Sequence, residues 1–212
     1  MRGGVVSRAR LSTRRLLGLD RSGPPPPETD AGAPWRPWTI PNAIGFARAA
    51  LIPIILVLEY GSRHGTDATA GVCFFFAGGG DYLDGISARL TGQYSRLGAT
   101  LDPIIDRLLV LAGVAVCWSY ELLPRWALAI VLTRELVMLA AGHAWLRRGF
   151  AIQINWPGRI AVFPTMFGLW LALLGVRSVA EGFLYVGLSL GWVATAVYFR
   201  DARAKLQTSS SA

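Results

Sequence analysis

The chain has 212 residues, 53% of them hydrophobic and only 16% charged, with a formal charge of +8. A soluble domain carries about 25% charged residues, so this composition argues against a soluble globule. The basic excess does not point to nucleic acid either. Of the 21 basic residues only Lys205 is not an arginine, and no basic helix face interleaved with aromatics occurs.

Residues 1–38 stand apart from the rest. Arg8, Arg10, Arg14 and Arg15 are followed by Pro24 to Pro27, which break any helix. The segment reads as a disordered cytoplasmic tail, with contact to anionic lipid through the arginines as the functional alternative. An organelle transit peptide is a further reading of its Arg-rich start.

From Ile40 onward, six apolar segments approach the ~20 residues that a bilayer-crossing helix needs. They run over 40–60, 68–90, 97–119, 123–146, 158–175 and 179–199. The fold expected is all-α, six transmembrane helices around a polar cavity. Residues 39–200 form one membrane domain, and 201–212 a polar C-terminal tail. Pro164 lies inside the fifth and shortest segment. Trp38, Trp118, Trp126, Trp145, Trp156 and Trp192 fall near segment ends, where indole rings favour the headgroup layer. Cys73 and Cys117 both stand inside apolar segments, as packing residues do.

Basic residues set the orientation. The first tail, the second-to-third and fourth-to-fifth junctions and the C-terminus hold 15 of them, against Arg63, Arg125 and Arg177 in the opposite loops. The positive-inside rule therefore expects both termini in the cytoplasm. The cytoplasmic ends of the second and third segments then lie side by side.

The acids Asp81, Asp84, Asp102, Asp106 and Glu135 fall within apolar segments. Each costs a few kcal/mol in a bilayer on insertion scales, so such a cluster is a functional hypothesis by default. Asp81 and Asp84 are spaced i,i+3, and Asp102 and Asp106 i,i+4, so each pair shares a helix face. On antiparallel neighbours the two pairs can face each other. Four close carboxylates repel and drift toward protonation unless a cation sits among them. All-oxygen ligands select Mg²⁺, Mn²⁺ or Ca²⁺ over zinc or copper. On spacing alone, a cation transporter is the competing use of such acids.

The run Asp81-x-x-Asp84-Gly85-x-x-Ala88-Arg89, eight residues, Gly98-x-x-x-Asp102-x-x-x-Asp106 resembles the complete signature of the CDP-alcohol phosphatidyltransferases. Asn42, Arg48 and Pro53 in the first segment, and Thr133-Arg134-Glu135 in the fourth, also fit that family's pattern. The resemblance implies an enzyme that moves the phosphatidyl group of CDP-diacylglycerol to an alcohol, releasing CMP. It implies Mg²⁺ or Mn²⁺, as two ions, on Asp81, Asp84, Asp102 and Asp106, with Asp106 also the general base. Asn42, Gly85, Ala88, Arg89, Ser95 and Gly98 would border CDP-diacylglycerol. The implied setting is a bacterial cytoplasmic membrane with the site on its cytoplasmic side, and the implied assembly a homodimer.

For the acceptor, glycerol-3-phosphate is the first expectation, with Arg134, Arg147, Arg148 and Arg159 as the cations that would hold it. Phosphatidylglycerol, giving cardiolipin, is the alternative. Outside the class stands an inactive lipid-binding relative, beside the transporter. Relatives that use glycerol-3-phosphate carry a Gly-Lys-x-Lys-Thr-like stretch where this chain has Gly158-Arg159-Ile160-Ala161-Val162, with one basic residue.

Overall fold

The computed structural model describes residues 35, 37–91, 93, 95–147 and 156–210. Among them lie six helices and no strand: α1 (Ile40–Gly61), α2 (Ala68–Thr91), α3 (Arg96–Ser119), α4 (Arg125–Arg147), α5 (Trp156–Leu173) and α6 (Arg177–Ser210). The tail at 1–34 lies outside the described residues.

Local chemistry fixes the helix ends. The Thr39 hydroxyl caps α1 by accepting from the Asn42 amide at 3.3 Å, with Pro41 in the first turn, where its missing N–H costs nothing. Asp67 caps α2 by accepting from the Ala70 amide at 2.9 Å, and Ser95 caps α3 by accepting from the Gly98 amide at 3.1 Å. α5 stops at Leu173, short of the expected 175, because Gly175 takes φ +81° and its amide turns back to the Ala172 carbonyl at 2.9 Å. α6 runs past the expected end at 199 to Ser210. Hydropathy ends near Phe199, but Ala202, Arg203, Ala204, Lys205 and Leu206 are all good helix formers.

α1 packs against α2 and α3, α5 against α6 along most of its length, and α5 also touches α2 and α3. The shared core is aliphatic, with Ile55, Leu109, Val116, Leu128, Leu169, Leu173 and Leu184 all buried. The outside is apolar as well. Val57, Phe76, Leu83, Leu136, Phe163 and Val193 are more than half exposed, while Asn42, Arg48, Glu59 and Asp84 are buried. A water-soluble helix bundle sorts its residues the other way. α1 and residues Arg177–Arg200 of α6 are long and apolar enough to cross a membrane by length and composition.

At one end of the bundle the α1–α2 loop is fastened down. The Tyr120 hydroxyl donates to the Tyr60 carbonyl at 3.2 Å, and Trp170 Nε1 donates to the Gly71 carbonyl at 2.9 Å. The opposite end gathers the α1 N-terminus, the α2 C-terminus and the α3 N-terminus. There the Ile40 amide donates to Gln93 Oε1 at 3.0 Å, and the Arg96 guanidinium covers the Trp35 ring at 5.3 Å.

Candidate active site

Below that second end, three helices bring charged side chains to one point. Arg48 of α1 reaches between α2 and α3, and its Nη1 donates to Asp84 Oδ2 at 3.0 Å. Its Nη2 donates to Asp106 Oδ1 at 2.6 Å, and Asp102 Oδ1 lies 3.9 Å from Nη1. The guanidinium is only 2% exposed, whereas Asp102 and Asp106 keep about a third of their side chains open, at 33% and 36%. Asp84 is therefore the floor of the cluster, and the two α3 acids are its accessible rim.

Two glycines make this convergence possible. A Cβ on Gly80 would stand 2.6 Å from Arg48 Cδ, so the arginine stem lies directly on the α2 backbone. Its Nε then donates to the Ala77 carbonyl at 2.7 Å, a bond that holds the fork in place. A Cβ on Gly98 would stand 2.6 Å from Asn42 Oδ1. That gap admits Asn42, whose Nδ2 donates to Ser95 Oγ at 3.0 Å and to the Pro37 carbonyl at 3.1 Å. Asn42 and Ser95 are both buried and fasten the N-termini of α1 and α3 together. Gly85 and Ala88 lie half-buried on α2, toward the same end.

Asp81 and Arg89 occupy α2 positions near Asp84, but their side chains lie outside the described residues, as do those of Arg147 and Arg159. Arg148 lies outside them altogether. Arg134 sits within α4, its Nη1 donating to Glu135 Oε1 at 2.5 Å, with its buried Nε lacking a partner. It borders a small hollow lined by Val162, Thr165 and Gly187. Arg134 thus stands apart from the Arg48 cluster, and Glu135 already matches its charge.

Sequence reasoning gave Arg48 no role at the site. The signal was present: an arginine within an apolar segment carries the same cost as the acids it turns out to meet. Three carboxylates against one guanidinium leave the cluster net negative, with oxygen donors alone. That set suits a hard divalent cation, with further ligands drawn from substrate phosphate. Among the described residues no three of His, Cys, Asp or Glu form a ready-made chelate. Arg48 stands between the acids, and the Asp81 carboxylate lies outside that set.

From Asp106 a cleft of about 290 Å³ extends between α2 and α5. Its walls are Phe74, Phe75, Phe163, Phe167 and Trp170, with Gly78 and Gly79 as its floor on α2. The Phe75 and Trp170 rings lie 5.5 Å apart, and those of Phe167 and Trp170 5.2 Å apart. An aromatic trough that ends on a carboxylate fits an amphiphile, with its polar group at Asp106 and its chains along the rings. Val162 lines both this cleft and the Arg134 hollow.

Known proteins resemble this chain over most of its length. The model of the CDP-alcohol phosphatidyltransferase family matches residues 38–198. A protein of Streptomyces coelicolor named cardiolipin synthase (CMP-forming) is 35% identical over 180 residues, covering 78% of this chain and 83% of its own. A Bacillus subtilis protein named CDP-diacylglycerol–glycerol-3-phosphate 3-phosphatidyltransferase is 26% identical, covering 65% of this chain and 77% of its own. A Pectobacterium atrosepticum protein of the same name is 27% identical, covering 76% and 90%. The matched segment runs from the helix that carries Arg48 through the helices that carry the aspartates to α6. The chain therefore belongs to the CDP-alcohol phosphatidyltransferases, a membrane-associated family that moves a phosphatidyl group from CDP-diacylglycerol and uses divalent metal ions.

Proposed function

We propose that this enzyme transfers the phosphatidyl group of CDP-diacylglycerol to the terminal glycerol hydroxyl of phosphatidylglycerol, forming cardiolipin and releasing CMP. The observation that carries this reading is the cleft at Asp106. The carboxylate that would receive the acceptor's proton ends an aromatic trough, where a lipid acceptor can lay its chains. Glycerol-3-phosphate, the first expectation from sequence, has no chains to place there, and as a dianion it needs cations. Gly158-Arg159-Ile160-Ala161-Val162 offers one, Arg134 is already matched by Glu135, and the side chains of Arg147 and Arg148 lie outside the described residues. The cardiolipin synthase name of the 35% identical relative supports the same choice. Glycerol-3-phosphate stays the second reading, favoured by the unpartnered Nε of Arg134 and by the names of the Bacillus and Pectobacterium relatives.

The chemistry follows from the residues. The Asp106 carboxylate takes the proton of the acceptor hydroxyl, whose oxygen attacks the lipid-side phosphorus of CDP-diacylglycerol. The new P–O bond forms as the bond to the CMP phosphate breaks, and CMP leaves. Asp81, Asp84 and Asp102, with Asp106, would hold Mg²⁺ or Mn²⁺ as a pair of ions, which would supply positive charge to the diphosphate and the departing CMP. Gly85, Ala88 and Arg89 border the cytidine diphosphate, and the Asn42–Ser95 pair with Gly98 frames the mouth. Asp106 stands about 15 Å along α3 from its first residue at a rise of 1.5 Å per residue.

The six helices are six membrane spans of one domain at 39–200, with the cavity and both termini facing the cytoplasm of a bacterial membrane. The apolar exterior and the distribution of arginines support this placement. The test is mass spectrometry of the lipids formed by the purified full-length protein with CDP-diacylglycerol, Mg²⁺ and either acceptor. Cardiolipin from phosphatidylglycerol is the expected product. Phosphatidylglycerophosphate without cardiolipin overturns the lipid acceptor and promotes the second reading.

A further inference from the structure

Arg48 stands at the centre of the carboxylate cluster. Its fork ends on Asp84 at 3.0 Å and Asp106 at 2.6 Å, and its Nε is tied to the Ala77 carbonyl at 2.7 Å. It is almost wholly buried, and its stem crosses the α2 backbone where only Gly80 leaves room. A side chain held at both ends in this way is a fixture of the site.

We propose that Arg48 is the resident counter-cation of the carboxylate cluster. It keeps Asp84, Asp102 and Asp106 gathered when no divalent ion is loaded, and it weakens the ion's hold by competing for the same oxygens. The inference rests on the reading of these aspartates as cation ligands, and the identity of the acceptor plays no part in it.

The physical reason is charge balance. Acids brought together in a partly buried cluster without a positive charge repel and take up protons. Arg48 supplies that charge permanently, because a guanidinium does not deprotonate in a protein. The same fixed charge repels an arriving dication and occupies one oxygen each of Asp84 and Asp106. The site is thus assembled in advance and holds its ion less tightly than bare carboxylates would. A merely structural tie between α1 and its neighbours would lower stability when lost, but it would not tighten ion binding.

The test uses the full-length protein in detergent, without substrate. Mn²⁺ binding is followed by the paramagnetic resonance signal of the free ion, and melting temperature is measured in chelator and in Mn²⁺. Arg48→Gln is expected to melt below the wild type in chelator, with the gap narrowing in Mn²⁺. Its Kd for Mn²⁺ is expected to fall roughly tenfold as the competing charge goes. Arg48→Lys keeps the charge without the fork, and its Kd should stay within about threefold of wild type. If Arg48→Gln does not fold, Gly80→Ala serves instead. Its methyl displaces the arginine stem, and Mn²⁺ should again bind more tightly than to wild type. Unchanged or weaker Mn²⁺ binding in a folded Arg48→Gln or Gly80→Ala protein overturns the proposal. Absence of Mn²⁺ binding to the wild type overturns the cation-site reading itself, and this proposal with it.

Discussion

Gly98→Ala probes the packing at the mouth of the site. The new methyl would stand 2.6 Å from Asn42 Oδ1, so the amide must retreat by most of an ångström. Asn42 has nowhere to retreat to. It is 1% exposed, and its Nδ2 is committed to Ser95 Oγ at 3.0 Å and the Pro37 carbonyl at 3.1 Å. Ser95 Oγ in turn caps α3. Two hydrogen bonds lost at about 1 kcal/mol each, plus about 1 kcal/mol of overpacking strain, are offset by up to about 1 kcal/mol of alanine's better helix propensity. The expected loss is therefore about 2 kcal/mol, read by denaturant unfolding of the detergent-solubilised protein. Gly182→Ala on α6 is the control, because a Cβ there meets nothing within 4 Å. It should unfold like the wild type or gain up to about 1 kcal/mol. Wild-type stability for Gly98→Ala would refute the reasoning, since it would mean that Asn42 moves freely.

Gly79→Leu should fill the cleft beside Asp106, since a Cβ there meets nothing within 4 Å and the residue lines the cleft. Steady-state kinetics should show kcat/KM for phosphatidylglycerol falling at least about tenfold, while CMP release to a soluble acceptor changes less. For Arg134→Gln, kcat/KM for phosphatidylglycerol should stay within about threefold of wild type, because Arg134 stands apart from the Arg48 cluster and Glu135 matches its charge; a fall of about tenfold would favour glycerol-3-phosphate as the acceptor. Glu59→Leu should raise the melting temperature or leave it unchanged. Both carboxylate oxygens of Glu59 are buried without a hydrogen-bond partner, and an apolar side chain of similar length removes that cost. A lower melting temperature would show that Glu59 has a partner worth keeping.

Much of the fold was legible because hydropathy blocks and helices coincide when lipid is the solvent. The expected 40–60 and 68–90 became Ile40–Gly61 and Ala68–Thr91. The misses have local causes. Hydropathy is blind to Gly175, whose positive φ ends α5 early, and to the polar helix formers that carry α6 to Ser210. In the site, Asp102 and Asp106 of α3 and Asp84 of α2 all stand within 3.9 Å of the Arg48 guanidinium, while the side chain of Asp81, the fourth acid of the expected pocket, lies outside the described residues. Arg48 escaped because it lies 36 residues before Asp84 and 58 before Asp106, and no local periodicity links the three. Glu59 escaped for a different reason. It lies close to the end of its segment, where an acid reads as a headgroup residue, although the structure buries it completely. Asn42 and Ser95 read as ligands of the nucleotide, and their mutual bonds add a second task, holding two helix ends together.

In the function proposed here, the carboxylate cluster performs phosphatidyl transfer with Asp106 as the base. Its most direct test is CMP release from CDP-diacylglycerol by wild type and Asp106→Asn, in Mg²⁺ and in excess chelator, with CDP-diacylglycerol binding measured in parallel. The amide keeps the shape of the side chain and its contact with Arg48 but takes up no proton. Acceptor-dependent CMP release by the wild type is expected in Mg²⁺ only. In Asp106→Asn a fall of at least about a hundredfold is expected, the lower range for loss of a general base, with CDP-diacylglycerol still bound. Turnover of Asp106→Asn within about tenfold of wild type, or full CMP release in chelator, would contradict it.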